Sequence, residues 1–435
     1  MPAAGQYSGE TDMNDFIIKG DIIYSESLTE LKLCPDSYLV CTDGICRGVF
    51  ERIPEEYAGL ETVDDSGSLV VPGLSDLHLH APQYSFRGMG MDLELLDWLN
   101  TYAFPEESSF KDREYAGKAY SIFAGDLEKS PTTRACIFAT IHPEATMMLM
   151  EMLEKTGLRG FVGKVNMDRN SPDYYVEKSA EDSLSATVRW LRDSREQFRN
   201  FQPVITPRFT ISCSDDLMNM LGLAAREFNV RVQSHLSENR SETALVKELC
   251  PWAGHYIDTY KRPGLIGGSM PSVMAHCVYS DEYELQVMRD NGVFLAHCPQ
   301  CNMNLASGLA PVRRWLDMGL NVGLGTDVAG GATLSIFRTM MEAMQTSRMV
   351  WRYIDSSLKP LTMEEVFFLG TKGGGAFFGK TGSFESGYSA DLLVLDESGM
   401  RHPQPLSLRQ RLERFISLSS STDIKHKYVQ GRQLF

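Results

Sequence analysis

The sequence predicts an α/β chain organised as a (β/α)8 TIM-like barrel, with a small β domain assembled from its two ends. Three observations carry that expectation. Eight short β-rich runs follow one another between residues 73 and 327, stretches of helical period separate them, and strand-like runs reappear at both ends of the chain. Eight βα units over roughly 250 to 300 residues is the arithmetic of such a barrel. The 435 residues accommodate it with additions, and 43% hydrophobic and 23% charged residues are ordinary globular usage, enough to bury a full core.

Over residues 15–70, apolar runs such as Phe16-Ile17-Ile18, Ile22-Ile23-Tyr24 and Tyr38-Leu39-Val40-Cys41 alternate with turn residues and read as small strands. The barrel strands are expected at residues 73–78, 135–141, 160–166, 203–210, 230–235, 272–276, 293–297 and 321–327. Helical fillers are expected at 180–198, 215–228 and 281–291, the last opening on Ser280 as N-cap. After Gly379 the runs 391–395 and 426–429 return to β texture. The domain boundaries follow as 1–71 for the first part of the small β domain, 72–379 for the barrel and 380–435 for the second part.

Composition excludes several classes. Fifty-seven acidic against 42 basic residues give a net charge of -15, which repels a phosphate backbone, so no nucleic-acid partner is expected. Nine cysteines, an odd number dispersed along a large chain, fit reduced thiols. Met1 to Asn14 lacks a basic segment followed by an apolar one, and no apolar run approaches the ~18 residues of a membrane span. A cytoplasmic protein without a membrane partner is expected. Gly373-Gly374-Gly375 lacks the Lys-Ser/Thr of a phosphate loop. Arg401, Arg409, Arg411 and Arg414 read as a solvated helix face or a subunit contact.

The histidines carry the functional signal. Of nine, His78, His80, His235, His276 and His297 fall at the C-terminal ends of predicted strands, the face on which this barrel builds active sites. His78 and His80 are two apart and point to one side of an extended strand. Asp327 ends the eighth strand in Gly323-Leu324-Gly325-Thr326-Asp327, whose glycines are expected to let the backbone pass close to a ligand. Imidazoles at the ends of apolar strands each need a partner to offset ~1–3 kcal/mol of desolvation, and one shared cation supplies it. His142, His255, His402 and His426 fall outside the pattern and read as structural.

With these residues the chain resembles the amidohydrolase superfamily, marked by a His-x-His on the first strand, single histidines on strands five and six, and an aspartate on strand eight. The resemblance runs from about Pro72 to Leu395 and includes Gly382-Ser383-Phe384-Glu385, Gly387 and Ala390-Asp391. It implies His78, His80, His235, His276 and Asp327 as metal ligands. Within the superfamily the chain is most similar to members acting on guanine, through residues 81–86, 161–164, 206–209, 234–239 and 325–331. Pro82 and Cys301 depart from an expected serine, and Leu236 from isoleucine; none removes a functional side chain.

The resemblance implies hydrolytic deamination of guanine to xanthine and ammonia, and a homodimer. Two-metal relatives use a carbamylated lysine on strand four, where this chain has Pro207-Arg208-Phe209. A guanidinium cannot take that role, so one metal is expected, with Lys164 a strand too early. Zinc suits a nitrogen-rich site with one carboxylate, and iron or manganese also tolerates it. Such an ion makes hydroxide available at neutral pH. Asp327 is expected to take the water's proton, and Glu238, three residues after His235, to protonate the ring and assist the leaving amine. Arg208 is expected to read the carbonyl oxygen and ring nitrogen 7 of guanine with its planar fork, and Gln83 the ring amide. Phe209 and Trp98 are candidates to pack on the base, and His297 to support a ligand or the water from behind.

Other readings stand beside this one. His142-Pro143-Glu144 and Cys298-Pro299-Gln300-Cys301 superficially match cytidine-type zinc deaminases, but His297 stands where that pattern has proline. A related enzyme of another amino-heterocycle is the sister reading. A catalytically dead scaffold would need a missing ligand, and none is missing.

Overall fold

The computed structural model describes residues 15–435. The reading of Met1–Asn14 lies outside the described residues. Eight parallel strands carry the architecture: β1 (Leu74–His80), β2 (Thr132–Phe138), β3 (Arg159–Gly163), β4 (Phe201–Pro203), β5 (Val232–Leu236), β6 (Ser272–His276), β7 (Phe294–His297) and β8 (Asn321–Leu324). They form two arcs of four, β1-β2-β3-β4 and β5-β6-β7-β8. A parallel bridge between Ile205 and Val232 joins β4 to β5. Backbone bonds Asp327 N–His78 O (2.8 Å) and His80 N–Val328 O (2.9 Å) join the far end of β8 to β1. The strands therefore succeed one another around a ring whose ladder is interrupted at two seams.

Every residue of β1, β5 and β6 is buried, as expected where helices cover a parallel sheet outside and side chains fill it inside. The covering helices are amphipathic. Ala180–Gln197 buries Ala180, Ser183, Thr187, Trp190, Leu191 and Ser194, a three-and-four spacing along one face. Ser179 caps it by accepting from Asp182 N, and Ser214 caps Asp215–Glu227 by accepting from Leu217 N.

Several local expectations are corrected. The helix expected to open on Ser280 spans Glu282–Asp290, and Asp281 is its cap, accepting from Glu284 N at 2.9 Å. Strand four is shorter than its β-rich sequence: Phe201–Pro203 ends at a proline, and Thr206–Pro207 pairs separately with Val165–Asn166. Proline has no N–H to continue a ladder. Strand eight stops at Leu324, which leaves Asp327 on the loop beyond it.

Both chain ends contribute to one seven-stranded sheet, in the order Arg432–Gln433, Ile424–Val429, Leu392–Leu395, Glu61–Pro72, Phe16–Ser25, Leu31–Thr42, Ile45–Phe50. Strand Glu61–Pro72 leads into β1 across Gly73 alone. Arg134 of β2 forks onto Asp391, with Nε–Oδ2 at 2.6 Å and Nη2–Oδ1 at 3.0 Å, tying the barrel to this sheet. The arginine stretch is not simply solvated. Arg411, on helix Leu408–Leu418, is half-buried and pairs with Asp21 (2.5 Å) and Glu397, while Arg409 pairs with Glu364 (2.7 Å); Arg401 precedes the helix. Opposite charges on neighbouring elements claim these side chains. All nine cysteines are free.

Candidate active site

The strand ends bring five predicted groups to one point. His78 and His80 lie two apart on β1, His235 is next to last on β5, His276 ends β6, and Asp327 follows β8. Asp327 Oδ1 stands 3.2 Å from His78 Nε2 and 3.5 Å from His80 Nε2, and Asp327 Oδ2 is 3.6 Å from His276 Nε2. His80 Nε2 and His235 Nε2 are 3.2 Å apart. Donor atoms held at ~2.0–2.1 Å by one ion stand roughly 3.0–3.4 Å from each other; the two 3.2 Å pairs fall in that range and the 3.5 and 3.6 Å pairs stand slightly wider, so a single metal would draw the set a little closer together.

The chemistry of the donors also fits. Burial, reinforced by the neighbouring imidazoles and Arg208, holds His78, His80 and His235 well below the usual histidine range, so their rings are neutral. His78 Nε2 is buried without a hydrogen-bond partner. His235 Nδ1 donates to Arg208 O at 2.7 Å and His276 Nδ1 donates to Asn302 Oδ1 at 2.9 Å. Each bond fixes the tautomer that leaves Nε2 with a free lone pair.

Backbone strain collects here. Asp327 (φ 47°) and His276 (φ 71°) both adopt the left-handed region, at about 1–3 kcal/mol each. One buried carboxylate ties β1 to the loop after β8, two of the four places that carry these groups: Asp76 Oδ1 accepts from His78 N (3.2 Å) and Thr326 N (3.1 Å), and Asp76 Oδ2 accepts from Thr326 Oγ1 (2.5 Å). The glycines before Asp327 serve this junction rather than a ligand. A Cβ on Gly323 would lie 2.4 Å from Leu77 Cδ1, and one on Gly325 would lie 2.9 Å from His78 Cβ and Cys298 Sγ.

Glu238 faces the same point, its Oε2 3.4 Å from His276 Nε2. Ser307 Oγ donates to Glu238 Oε1 at 3.0 Å, and Cys301 Sγ lies 3.9 Å from the same oxygen. Its backbone is pinned because Glu242, in the capping box of helix Arg240–Leu249, accepts from Glu238 N at 2.6 Å. Burial, then the charge of Asp327, pushes Glu238 up to about 8, and burial also raises Asp327. A cation among these groups opposes both shifts.

Beside this cluster opens a cleft lined by Gln83, Leu95, Trp98, Leu99, Arg208 and Phe209 together with His80, His235, Glu238, His276 and Asp327. Trp98, anchored by Nε1–H to Met89 O (3.2 Å), belongs to this wall. Arg208 is not free, because its two terminal nitrogens donate to Glu107 at 2.6 and 3.0 Å. Burial works against its charge, and Glu107 more than offsets that. Gln83 Nε2 donates to Glu107 as well, at 2.7 Å.

Some expected residues stand apart. Among the described residues His297 bonds none of the five groups, and Asn302 and the Arg208 carbonyl orient His276 and His235 instead; that His297 supports the water is a proposal. Lys164 is consumed by an ion pair with Glu177. Glu144 lines an outer groove with Arg189 and Trp190, away from Cys298 and Cys301. Asp76, Glu107, Asn302 and Ser307 were not singled out from sequence. Only Asp76 carried a signal, a carboxylate two residues before His78 on the same strand.

Comparison with known proteins gives one consistent picture. The model of the Amidohydrolase family matches residues 69–434. Guanine deaminase of Rattus norvegicus is 38% identical over 376 residues, covering 84% of this chain and 82% of the relative. Guanine deaminase of Escherichia coli (strain K12) is 33% identical over 384 residues, covering 86% and 84%. The crystal structure of guanine deaminase from C. acetobutylicum, solved with guanine bound in its active site, superposes with a TM-score of 0.94 at 42% identity, covering 97% of this chain and 100% of that one.

Proposed function

The chain belongs to the amidohydrolase family, and from that premise we propose that it deaminates guanine hydrolytically, yielding xanthine and ammonia. One observation carries the reading: a cluster of buried imidazoles and Asp327 around one point shares a cleft with Glu238, Arg208 and Gln83. We assign His78, His80, His235, His276 and Asp327 as ligands of one divalent ion, and zinc is favoured by three or more nitrogens with one carboxylate. Such an ion lowers the pKa of water bound to it to about 7, supplying a nucleophile at neutral pH.

The residues then divide the work. As the water oxygen bonds to carbon 2 of guanine, Asp327 takes one of its protons and Glu238 protonates the adjacent ring nitrogen. The bond from carbon 2 to the exocyclic nitrogen breaks, and ammonia leaves with the proton that Asp327 took. The remaining hydroxyl proton returns Glu238 to its acid form, so water and guanine are converted to xanthine and ammonia with no proton left over. Arg208 keeps Nε–H and an outer Nη–H beyond the pair with Glu107, a second two-donor edge for the carbonyl oxygen and nitrogen 7. Adenine offers a donor in place of that carbonyl and would leave a buried group unpaired. Phe209 and Trp98 close on the base.

The same reading places catalysis in residues 72–379 and support in 1–71 and 380–435. A homodimer is favoured by the exposed apolar group Met349, Trp351, Tyr353 and Ile354. Cytoplasmic location is favoured by the free thiols; no helix of the described residues is long and apolar enough to cross a membrane. The decisive experiment is chromatography after incubating metal-loaded protein with guanine, adenine, cytosine, a pterin and a triazine. Xanthine from guanine alone is expected. Turnover confined to another heterocycle would overturn the substrate.

A further inference from the structure

We propose that Glu107 is a positioning residue that sets the hydrogen-bonding edge which Arg208 and Gln83 present to the purine, an inference that rests on the guanine reading above. Glu107 sits in the short helix Phe104–Ser109 and is fully buried. Its Oε1 accepts from Arg208 Nη2 (3.0 Å) and Gln83 Nε2 (2.7 Å), and its Oε2 from Arg208 Nη1 (2.6 Å) and Tyr175 Oη (2.8 Å). Two donors on each oxygen exhaust the four lone-pair positions of a carboxylate. Glu107 therefore has no capacity left for substrate and acts through the residues it holds.

Three consequences follow. A guanidinium buried beside a metal site needs a counter-charge, and Glu107 is the carboxylate that contacts it, while Arg208 Cζ lies 5.0 Å from the ring centroid of Phe104 of the same helix. A carboxylate only accepts, so Gln83 must turn Nε2 toward it and Oε1 away, toward Ala329 N at 3.4 Å; the amide cannot flip without placing oxygen against oxygen. The end-on fork of Arg208 is spent on Glu107, which leaves Nε–H and an outer Nη–H as its remaining parallel pair. One carboxylate thus fixes the polarity of both groups proposed to read the base.

A merely structural Glu107 would stabilise the helix without affecting which purine atoms are read, so the test compares substrates. Kinetics of the metal-loaded full chain are measured with guanine and with 7-deazaguanine, which lacks the nitrogen-7 acceptor, in the parent, Glu107→Gln, Arg208→Leu and the double variant. Glu107→Gln should raise KM for guanine about tenfold or more while kcat and metal content stay within about threefold. The parent should prefer guanine over 7-deazaguanine by about tenfold, and Glu107→Gln should shrink that preference to about threefold or less. The double variant should fall well short of the sum of the two single losses, because both changes remove the Arg208 interaction and Glu107→Gln adds only the release of Gln83. Glu107→Asp, which restores the charge but sets it back by one methylene, should recover part of KM, and it carries the test if Glu107→Gln yields no folded protein. Unchanged KM and preference in a folded variant, or additive effects in the double variant, would overturn the positioning role and leave the guanine reading standing. A metal-loaded parent inactive on guanine would instead overturn that reading and this inference with it.

Discussion

Replacing Glu238 with glutamine isolates the proton-transfer step. The two side chains have the same shape, so the 3.0 Å bond from Ser307 to Oε1 and the packing against Cys301 can persist. The backbone of residue 238 stays pinned by Glu242 at 2.6 Å. What disappears is a transferable proton on a carboxyl that burial raises well above the ordinary glutamate range, the direction that suits a general acid. Losing such a group typically slows a reaction by about 10²–10⁴, or roughly 2.7–5.5 kcal/mol of barrier. Glutamine matches the acid form in which Glu238 is proposed to act and replaces none of the five proposed ligands, so the metal should be retained. Xanthine formation would be followed by chromatography, with bound metal quantified on the same samples. Turnover within about threefold of the parent in metal-loaded Glu238→Gln would refute the assignment.

Two further outcomes are expected. Dialysis against a strong chelator should abolish turnover, and one equivalent of zinc per chain should restore it; activity in metal-free protein would refute the metal mechanism, and a requirement for two ions would refute the reading of Lys164 as an ion-paired side chain. Asp391→Asn should cost about 3–5 kcal/mol, because it leaves Arg134 largely buried without its counter-charge, and lower Tm by about 3–5 °C for a cooperative unit of this size. Burial pushes Asp391 up, but Arg134, helped by Gln430 N and Ser389, more than offsets that and holds it below the ordinary 3.8. The contribution is therefore fully present above 3.8 and lost as pH falls through the lower folded value, so the Tm difference should be flat between about pH 5 and 8. Calorimetry over that range checks it, and an unchanged Tm would refute the anchoring role.

The parts of this site legible in the sequence are those encoded by local periodicity. A strand alternates its faces every residue, so His78-Leu79-His80 announces two side chains on one side. A βα rhythm announces where strands end, which placed His235, His276 and Asp327 near one mouth. The seven-stranded sheet was visible at both ends of the chain for the same reason. Boundaries were less legible, because β texture continues past the last ladder bond: Pro203 and Pro207 end strand pairing while the sequence still reads as extended, and the cap expected at Ser280 falls on Asp281.

Partners brought together from afar were decided by tertiary structure alone. Glu107 and Arg208 are 101 residues apart, and Asp76 and Thr326 are 250 apart. Nothing local distinguishes Glu107 from its neighbour Glu106, yet one is fully buried under four donors and the other bonds Ser85 and Tyr115 nearer the surface. Likewise His297 carries the same strand-end signature as His276, but Asn302 meets only the latter. The sequence by itself determined the metal-compatible donors and the fold that gathers them, because strand period and residue chemistry are local properties. Which of Arg208's donors remain for a substrate, and which histidine is oriented, depends on how helix Phe104–Ser109 and the short helix Pro299–Asn304 after β7 pack at the barrel mouth. That packing is set by burial of whole surfaces and the pairing of buried charges, which no short stretch of sequence contains.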